Sequence, residues 1–134
     1  MVGFSHRIQI RHIVVEKKEV AELLKETIDG VKGATAKNKL LMKLAPKYSL
    51  CPSKEDGGNL GWLELSCDDP RITGYTPTLK NAELEEFIRK GMRTLAIKKG
   101  ELCGPVKTGE GYHILLVCNE FGAELADGFT GSAV

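Results

Sequence analysis

Hydrophobic and polar positions alternate through residues 7–15, which predicts a β-strand because successive side chains of a strand point to opposite faces. One face carries Ile8, Ile10 and Val14 together with His12. The other face also becomes apolar toward the end of the segment, so the strand is expected in the centre of a sheet. His12 thus occupies a position that an apolar residue normally fills.

Two other regions show the same patterning. Residues 59–64 are expected to form a short strand, and residues 104–108 and 112–118 a hairpin across a glycine-containing turn. His113 shares a strand face with Leu115, so a second histidine lies among apolar side chains. A histidine at such a position is often a hydrogen-bonded core residue, and its chemistry must be judged together with its neighbours.

Apolar residues recur at helical spacing in three segments, residues 20–28, 35–45 and 81–97. Thr35 is the expected N-cap of the second helix, and Pro46 is expected to end it. The element order is then strand, helix, helix, strand, helix, strand, strand. This order predicts an α+β fold in which helices pack around an antiparallel or mixed sheet.

The composition adds only general limits. The chain has 134 residues, of which 42% are apolar and 28% charged, so one globular domain over residues 1–120 is expected. Glycine and alanine are frequent in residues 121–134, which are expected to form a poorly ordered tail. A net charge of +1 favours neither nucleic acid nor a membrane surface as a partner. The N-terminal residues lack the apolar block of a secretory signal, and we expect a cytoplasmic monomer.

The cysteines bear on metal and redox chemistry. The four of them are widely spaced and form no CxxC pair: Cys51, Cys67, Cys103 and Cys118. This spacing argues against a structural zinc site, and free thiols are expected. A zinc site built from Cys51, His12 and His113 is a weaker alternative, because two histidines bonded to each other leave few lone pairs for a metal. No cofactor is expected.

Residues 48–62 are the most unusual stretch of the chain. They combine a thiol, a Pro-Ser turn, a charged run and three glycines, followed by Leu-Gly-Trp where a strand is predicted. Glycine and proline at this density are costly in conformational entropy unless the backbone needs unusual angles or a close approach. A loop of this kind between a helix and a strand is a candidate functional site.

With this loop included, the chain resembles the parvulin family of peptidyl-prolyl cis-trans isomerases in three blocks. The blocks are RHIVV at residues 11–15, YSLCPSKEDGGNLGW at 48–62 and GELCGPVKTGEGYHI at 100–114, within a match over about residues 8–118. The resemblance implies a fold similar to that of the FK506-binding proteins, with a four-stranded sheet surrounded by three to four helices. It also implies isomerisation of X-Pro bonds in unfolded or flexible chains, without a cofactor.

The resemblance places His12 and His113 at the two active-site histidines, and Cys51 where family members have cysteine or aspartate. The histidines would bond to each other across neighbouring strands and fix each other's tautomers. Aspartate at the cysteine position does not suit a thiol-like nucleophile, so an electrostatic and steric role of Cys51 is favoured over covalent attack. Without this context, Cys51 would equally fit a buried small hydrophobe.

Three further positions carry over from the family. Ser49 and Thr108 match small hydroxyl residues near the histidine pair, where they are expected to support the histidines. Leu60 matches an apolar residue of the proline-binding groove. These three residues complete one side of the implied site.

The opposite groove wall departs from the family pattern. The loop over residues 64–80 is expanded, and no Pro-x-Phe opens the next helix. Phe87 and Met92 are the candidates for the missing wall, although their spacing also fits a stripe that faces the core. Residues 16–19 read Glu-Lys-Lys-Glu, without the arginines that grip phosphate in phosphate-directed parvulins, so phospho-specific recognition is not expected.

The residues and the resemblance together predict a peptidyl-prolyl isomerase whose partners are proline-containing peptides or unfolded chains. The alternative is a binding module of the same fold that holds proline-containing segments, as a chaperone or interaction domain, with little catalysis. The altered groove wall is the feature that favours the alternative.

Overall fold

A computed structural model of the chain describes residues 6–65 and 79–122. Its strands are β1 (Arg7–Val15), β2 (Asn59–Glu64), β3 (Leu102–Thr108) and β4 (Gly111–Phe121). Its α-helices are α1 (Lys18–Asp29), α2 (Ala34–Tyr48) and α3 (Ala82–Arg93), and a short 3-10 helix covers Pro52–Asp56. The predicted element order is confirmed. Most of the expanded loop, Cys67 and the tail beyond residue 122 lie outside the described residues.

The strands form one four-stranded sheet in the order β2-β1-β4-β3, in which every neighbouring pair is antiparallel. The central position of β1, expected from its apolar faces, is therefore confirmed, and so is the α+β class. In the β1–β4 register, His12 lies opposite Leu115 and Val14 lies opposite His113. The two histidines are thus diagonal neighbours, a distance that long side chains on one face can bridge.

Helices cover both faces of this sheet, so the protein has a core on each side. On one side α1 and α2 bury Ile13 and Ile114, and on the other α3 buries Ile10 and Leu115. By strand alternation the histidine pair belongs to the α3 side. The loop between α2 and β2 reaches the same side, which is where a cleft forms.

Helix α2 differs from expectation at both of its ends. It begins directly after Gly33, whose φ of 91° is incompatible with helical geometry. Thr35 therefore lies inside the helix and does not cap it. It also continues through Pro46 to Tyr48, with the Ser49 N–H donating to the Ala45 carbonyl at 2.9 Å. Proline removes only its own helical hydrogen bond, so the final turn can still close around it.

Helix α3 ends four residues earlier than its apolar pattern suggested, at Arg93. Leu95 has a φ of 66°, a left-handed angle that terminates helical geometry. The chain then turns back, and Ile97 packs directly on Gly91, where a Cβ would lie 2.3 Å from the isoleucine Cδ1. Gly91 is therefore required for the packing of Ile97 beneath the helix.

The C-terminal strand is longer than predicted. β4 extends to Phe121, which pairs with Arg7, so the boundary expected at residue 120 falls inside a strand. No helix among the described residues has both the length and the apolar character that a membrane span requires.

Candidate active site

A pair of buried histidines forms the centre of the candidate site. His12 Nδ1 lies 3.0 Å from His113 Nδ1, and the two rings stack with centroids 5.1 Å apart. The exposed fractions of the two residues are 1% and 0%, so the pair lies under the surface of the protein. The predicted contact between His12 and His113 is present in the structure, carried by the diagonal register of β1 and β4.

Burial keeps both rings neutral at ordinary pH. Desolvation, with a smaller effect of His113, lowers the pKa of His12 from 6.5 to about 3. Desolvation also lowers the pKa of His113, while the carboxylates of Glu110 and Glu83 act in the opposite direction. Two neutral imidazoles joined through Nδ1 must consist of one donor and one acceptor.

The hydrogen bonds of Thr108 identify the donor. Its Oγ1 accepts from the Asn81 side-chain amide at 2.9 Å and from the Glu110 backbone N–H at 3.2 Å, which occupies both lone pairs. The hydroxyl proton must therefore go to its third neighbour, His113 Nε2, at 2.7 Å. His113 then carries its proton on Nδ1 and donates it to His12 Nδ1. His12 in turn carries its own proton on Nε2.

The remaining polar atom of the pair is His12 Nε2. It is buried and has no hydrogen-bond partner among residues 6–65 and 79–122. His12 lines the cleft, and its Nδ1 is bonded to His113. Its Nε2–H is therefore the donor of the histidine pair that can bond to a molecule in the cleft. An unpaired buried donor costs about 1–3 kcal/mol, which makes it a marker of function.

The loop between α2 and β2 is bonded to the β1 backbone at Val14 and at His12. Ser49 Oγ accepts from the backbone N–H of Val14 at 3.2 Å and of Cys51 at 3.3 Å. Further along, the His12 N–H donates to the Gly58 carbonyl at 2.9 Å. These bonds hold Cys51 beside the histidine pair, with its Sγ accepting from the Ser53 N–H at 3.5 Å.

The cleft has a volume of about 330 Å³, within the range of small-molecule and peptide pockets. His12 and Cys51 line it together with three apolar side chains, Leu60, Leu79 and Leu84. Pro52 and five polar residues complete its lining: Ser53, Asn59, Lys80, Asn81 and Glu110. An apolar cleft with a few polar groups fits a peptide segment with a non-polar ring.

The structure does not bring Phe87 and Met92 to this cleft. Phe87 is 37% exposed, and Met92 packs against the core on the α3 side beside a separate pocket with His6 and Leu65. The apolar residues that line the cleft beside Leu60 are Leu79 and Leu84 instead. The predicted apolar stripe of α3 is present, but the residue of the stripe that lines the cleft is Leu84, in the first turn of the helix.

Sequence reasoning also missed Asn81. A polar residue of the Asn, Asp, Ser or Thr type directly before an apolar helical pattern is the usual signal for an N-cap. Asn81 Oδ1 accepts from the Leu84 backbone N–H at 3.0 Å. Its second function, the bond to Thr108, could not be read from the chain because it joins residues that are 27 positions apart.

The described cysteines are not paired in disulfides. Cys51, Cys103 and Cys118 are free in the structure. Within the described part of the chain, no three side chains of the His, Cys, Asp or Glu type are grouped so that they could hold a metal ion.

A four-stranded antiparallel sheet with a histidine pair facing a loop-covered cleft defines a parvulin-type domain. The chain belongs to the PPIC-type peptidyl-prolyl isomerase (rotamase) family, whose model matches residues 9–119. The match extends from β1 to β4 and contains every residue of the cleft.

Related proteins agree with this membership. The chain is 31% identical to the foldase protein PrsA of Geobacillus kaustophilus over 88% of its own length and 34% of that protein's. It is also 31% identical to the putative peptidyl-prolyl cis-trans isomerase Cbf2 of Campylobacter jejuni, over 82% of this chain and 34% of the relative. The chain therefore spans about a third of these curated relatives.

Solved structures show the same fold. The crystal structure of PrsA from Bacillus subtilis superposes with a TM-score of 0.57 at 29% identity, covering 92% of this chain and 39% of that one. The solution structure of NmPin, the parvulin of Nitrosopumilus maritimus, gives a TM-score of 0.54 at 26% identity, covering 85% of this chain and 97% of that one. The second structure corresponds to the domain alone.

Proposed function

We propose that this chain catalyses cis–trans isomerisation of X-Pro peptide bonds in unfolded or flexible polypeptides. The observation that carries the proposal is the unpaired Nε2–H of His12, a buried donor at the edge of an apolar cleft. Membership of the PPIC-type isomerase family supports the same reaction.

The apolar part of the cleft accounts for proline binding. Leu60, Leu79 and Leu84 offer a non-polar surface to the pyrrolidine ring. Filling the cleft also removes water from the amide. Water that donates to the carbonyl stabilises the planar resonance form, so a dry site lowers the barrier to rotation, which is about 20 kcal/mol in solution.

His12 would supply the electrostatic part of catalysis. A planar prolyl amide has no accepting lone pair on nitrogen, whereas the twisted amide has a pyramidal nitrogen that can accept a hydrogen bond. A donor directed at this nitrogen binds the transition state more tightly than the ground state, which is the requirement for catalysis. A donor to the carbonyl oxygen would have the opposite effect, so we assign the His12 Nε2–H to the nitrogen.

The other predicted residues take supporting roles in this scheme. His113 and Thr108 hold the His12 ring and its proton through the bonds described above. Ser49 holds the loop that carries Cys51. Cys51 lines the cleft as a small polarisable group, and we propose that no covalent bond to substrate forms.

Within residues 6–65 and 79–122, charge around the cleft gives no basis for phosphate recognition. Lys80 and Glu110 both line it, with opposite charges. Arg11, which lies on the same strand as His12, donates to the backbone carbonyls of Asp56 and Gly57 at 2.9 and 3.2 Å. Substrates without phosphate are therefore proposed.

A binding module with weak catalysis is the less favoured alternative. It rested on the missing Pro-x-Phe wall, whereas Leu79 and Leu84 line the cleft and give it apolar surface without that motif, which supports the isomerase. Cytoplasmic location and a monomeric state remain proposals; free thiols at Cys51, Cys103 and Cys118 agree with a reducing compartment. Fractionation of the source cells and sedimentation of the purified chain would test these two points.

Exchange NMR on short Ala-Xaa-Pro-Phe peptides tests the activity directly. The wild-type chain should accelerate cis–trans exchange of unphosphorylated peptides, and the variant Leu60→Ala should do so less. A folded wild type that binds the peptides, as seen by shifts of cleft resonances, but leaves their exchange rate unchanged would refute catalysis and establish the binding module.

A further inference from the structure

Asn81 connects three parts of the site. Its Oδ1 caps α3 by accepting from the Leu84 N–H at 3.0 Å, and its Nδ2 donates to Thr108 Oγ1 at 2.9 Å and to Glu110 Oε1 at 2.8 Å. The orientation of the amide is fixed by these partners. A flipped amide would set a donor against the Leu84 N–H and an oxygen against the Glu110 carboxylate.

This orientation decides the direction of the hydrogen bonds beyond it. Of the two N–H groups that donate to Thr108 Oγ1, one belongs to the Glu110 backbone and forms part of the β3–β4 turn. The other is the Asn81 amide, the one donor of the two that a side-chain substitution can change. If an acceptor replaced it, the Thr108 hydroxyl proton would turn toward that acceptor. Thr108 would then accept from His113 Nε2.

We propose that Asn81 is a positioning residue that sets the tautomers of both histidines, acting through Thr108 and His113 so that His12 presents Nε2–H to the cleft. The residue also caps the helix that carries Leu84, a residue of the cleft wall. One side chain therefore holds the apolar wall and the polar donor in a fixed relation. The catalytic meaning of this role rests on the proposed isomerase function, but the tautomers themselves do not depend on it.

The substitution Asn81→Asp isolates this role. Aspartate has nearly the same shape and is an equally good N-cap, so α3 keeps its start. Its second oxygen accepts hydrogen bonds and cannot donate. The Thr108 hydroxyl proton is then drawn to the carboxylate, and the chain of bonds reverses. His113 should be protonated on Nε2 and His12 on Nδ1, which leaves a lone pair facing the cleft.

Two matched variants control for charge. Glu110→Gln removes the carboxylate beside Asn81 but keeps an oxygen that accepts from Nδ2, so the tautomers should stay as in the wild type. The double variant Asn81→Asp with Glu110→Gln removes the repulsion between two carboxylates, because the glutamine amide can donate to the new aspartate. It should show the reversed tautomers, and it replaces the single variant if that one does not fold.

The measurement is a long-range ¹H–¹⁵N correlation spectrum of the imidazole nitrogens at neutral pH, recorded on the full chain. We expect His12 to be protonated on Nε2 in the wild type and in Glu110→Gln. In both chains that carry Asn81→Asp, His12 should be protonated on Nδ1. The exchange rate of an X-Pro peptide should fall about tenfold or more from wild type to Asn81→Asp, and from Glu110→Gln to the double variant. A helix cap alone would not move the ¹⁵N shifts.

The outcomes separate this inference from the proposed function. Unchanged tautomers in the double variant, or a wild-type His12 protonated on Nδ1, would overturn the role of Asn81 even if the wild type is an active isomerase. Reversed tautomers in a chain whose wild type does not accelerate exchange would uphold the role of Asn81 and refute the proposed function.

Discussion

The backbone of Gly58 lies directly against the backbone of His12. The His12 N–H donates to the Gly58 carbonyl at 2.9 Å, and a Cβ on Gly58 would lie 2.4 Å from the His12 carbonyl oxygen. Gly58 also has a φ of 83°, which L-residues with side chains rarely adopt. The close approach keeps the loop that carries Cys51 attached to β1.

Substitution Gly58→Ala should therefore be strongly destabilising, by about 2 kcal/mol or more, because backbone atoms must move and not only a side chain. Gly61→Ala is the matched control. Gly61 has a similar φ of 93°, but a Cβ at this position would meet no atom of the described residues within 4 Å. Only the cost of the backbone angle, about 1 kcal/mol, then remains. Urea unfolding measures both values. Equal losses would contradict the close-contact explanation.

Replacement of Thr108 by valine should remove the anchor of His113 while keeping the shape of the side chain. The loss leaves His113 Nε2 and the Asn81 amide without their shared partner, at an expected cost of about 1–3 kcal/mol in the free energy of unfolding. Thr108→Ser retains the hydroxyl and should recover most of the loss. A serine variant as unstable as the valine variant would indicate that the methyl packing matters more than the hydrogen bonds.

Acid should destabilise the protein through the histidine pair. The folded pKa values of His12 and His113 lie below that of a free histidine, so the unfolded chain binds more protons than the folded one. The neutral pair contributes its full stability above pH 6.5, and this is lost as the pH falls toward the folded pKa of His12, about 3. His12 can add a slope of up to about 1.4 kcal/mol per pH unit in that window, and His113 acts in the same direction.

Unfolding of the wild type and of His12→Gln between about pH 4 and pH 8 would measure this slope, because the range starts above the ordinary pKa of histidine and extends toward the folded pKa of His12. The variant lacks the titrating ring, so its stability should fall less steeply below pH 6.5, the ordinary pKa of histidine. Parallel profiles would mean that carboxylates elsewhere dominate the acid response.

The cleft wall offers a test of substrate binding. Leu60→Ala should lower kcat/KM for X-Pro peptides about tenfold, since it removes apolar contact area from the cleft. Phe87→Ala is the comparison, because Phe87 lies outside the cleft and is 37% exposed. It should leave the rate unchanged. A loss in Phe87→Ala as large as that in Leu60→Ala would restore Phe87 as a groove residue.

Cys51 separates electrostatic from covalent catalysis. Cys51→Asp should keep measurable isomerase activity, because the proposed mechanism requires no bond to sulfur. Exchange NMR on the same peptides would measure it, with circular dichroism to confirm the fold. Complete loss of activity in a folded Cys51→Asp chain would support a covalent role for the thiol.

Much of the fold could be predicted because strand alternation and helical spacing are local signals. The bounds of β1 and β2 follow from period-two patterning, and the central place of β1 follows from its two apolar faces. The apolar pattern did not predict the end of α3, because Ile97 continues the helical spacing in sequence but folds back onto Gly91 in three dimensions. This contact requires a glycine at position 91, although glycine is unfavourable in a helix.

The candidate site divides in the same way. His12, Cys51 and Leu60 were found in sequence blocks that resemble a family, and the structure brings them to one cleft. Leu79 lies at the end of the expanded loop and Asn81 directly after it, where the resemblance gives no register. The start of α3 has a local signal in Asn81, but how the helix lies against the sheet depends on tertiary packing and is not encoded in local patterning.

The bond between His12 and His113 joins residues 101 positions apart, near the two ends of the folded region. A chain emerging from the ribosome can form its helices early, but this contact needs the last strand to be in place. The histidine pair of this design is therefore incomplete until β4 has been synthesised and paired. The domain cannot assist its own folding within a single molecule, and any such help must come from a copy whose domain has already folded.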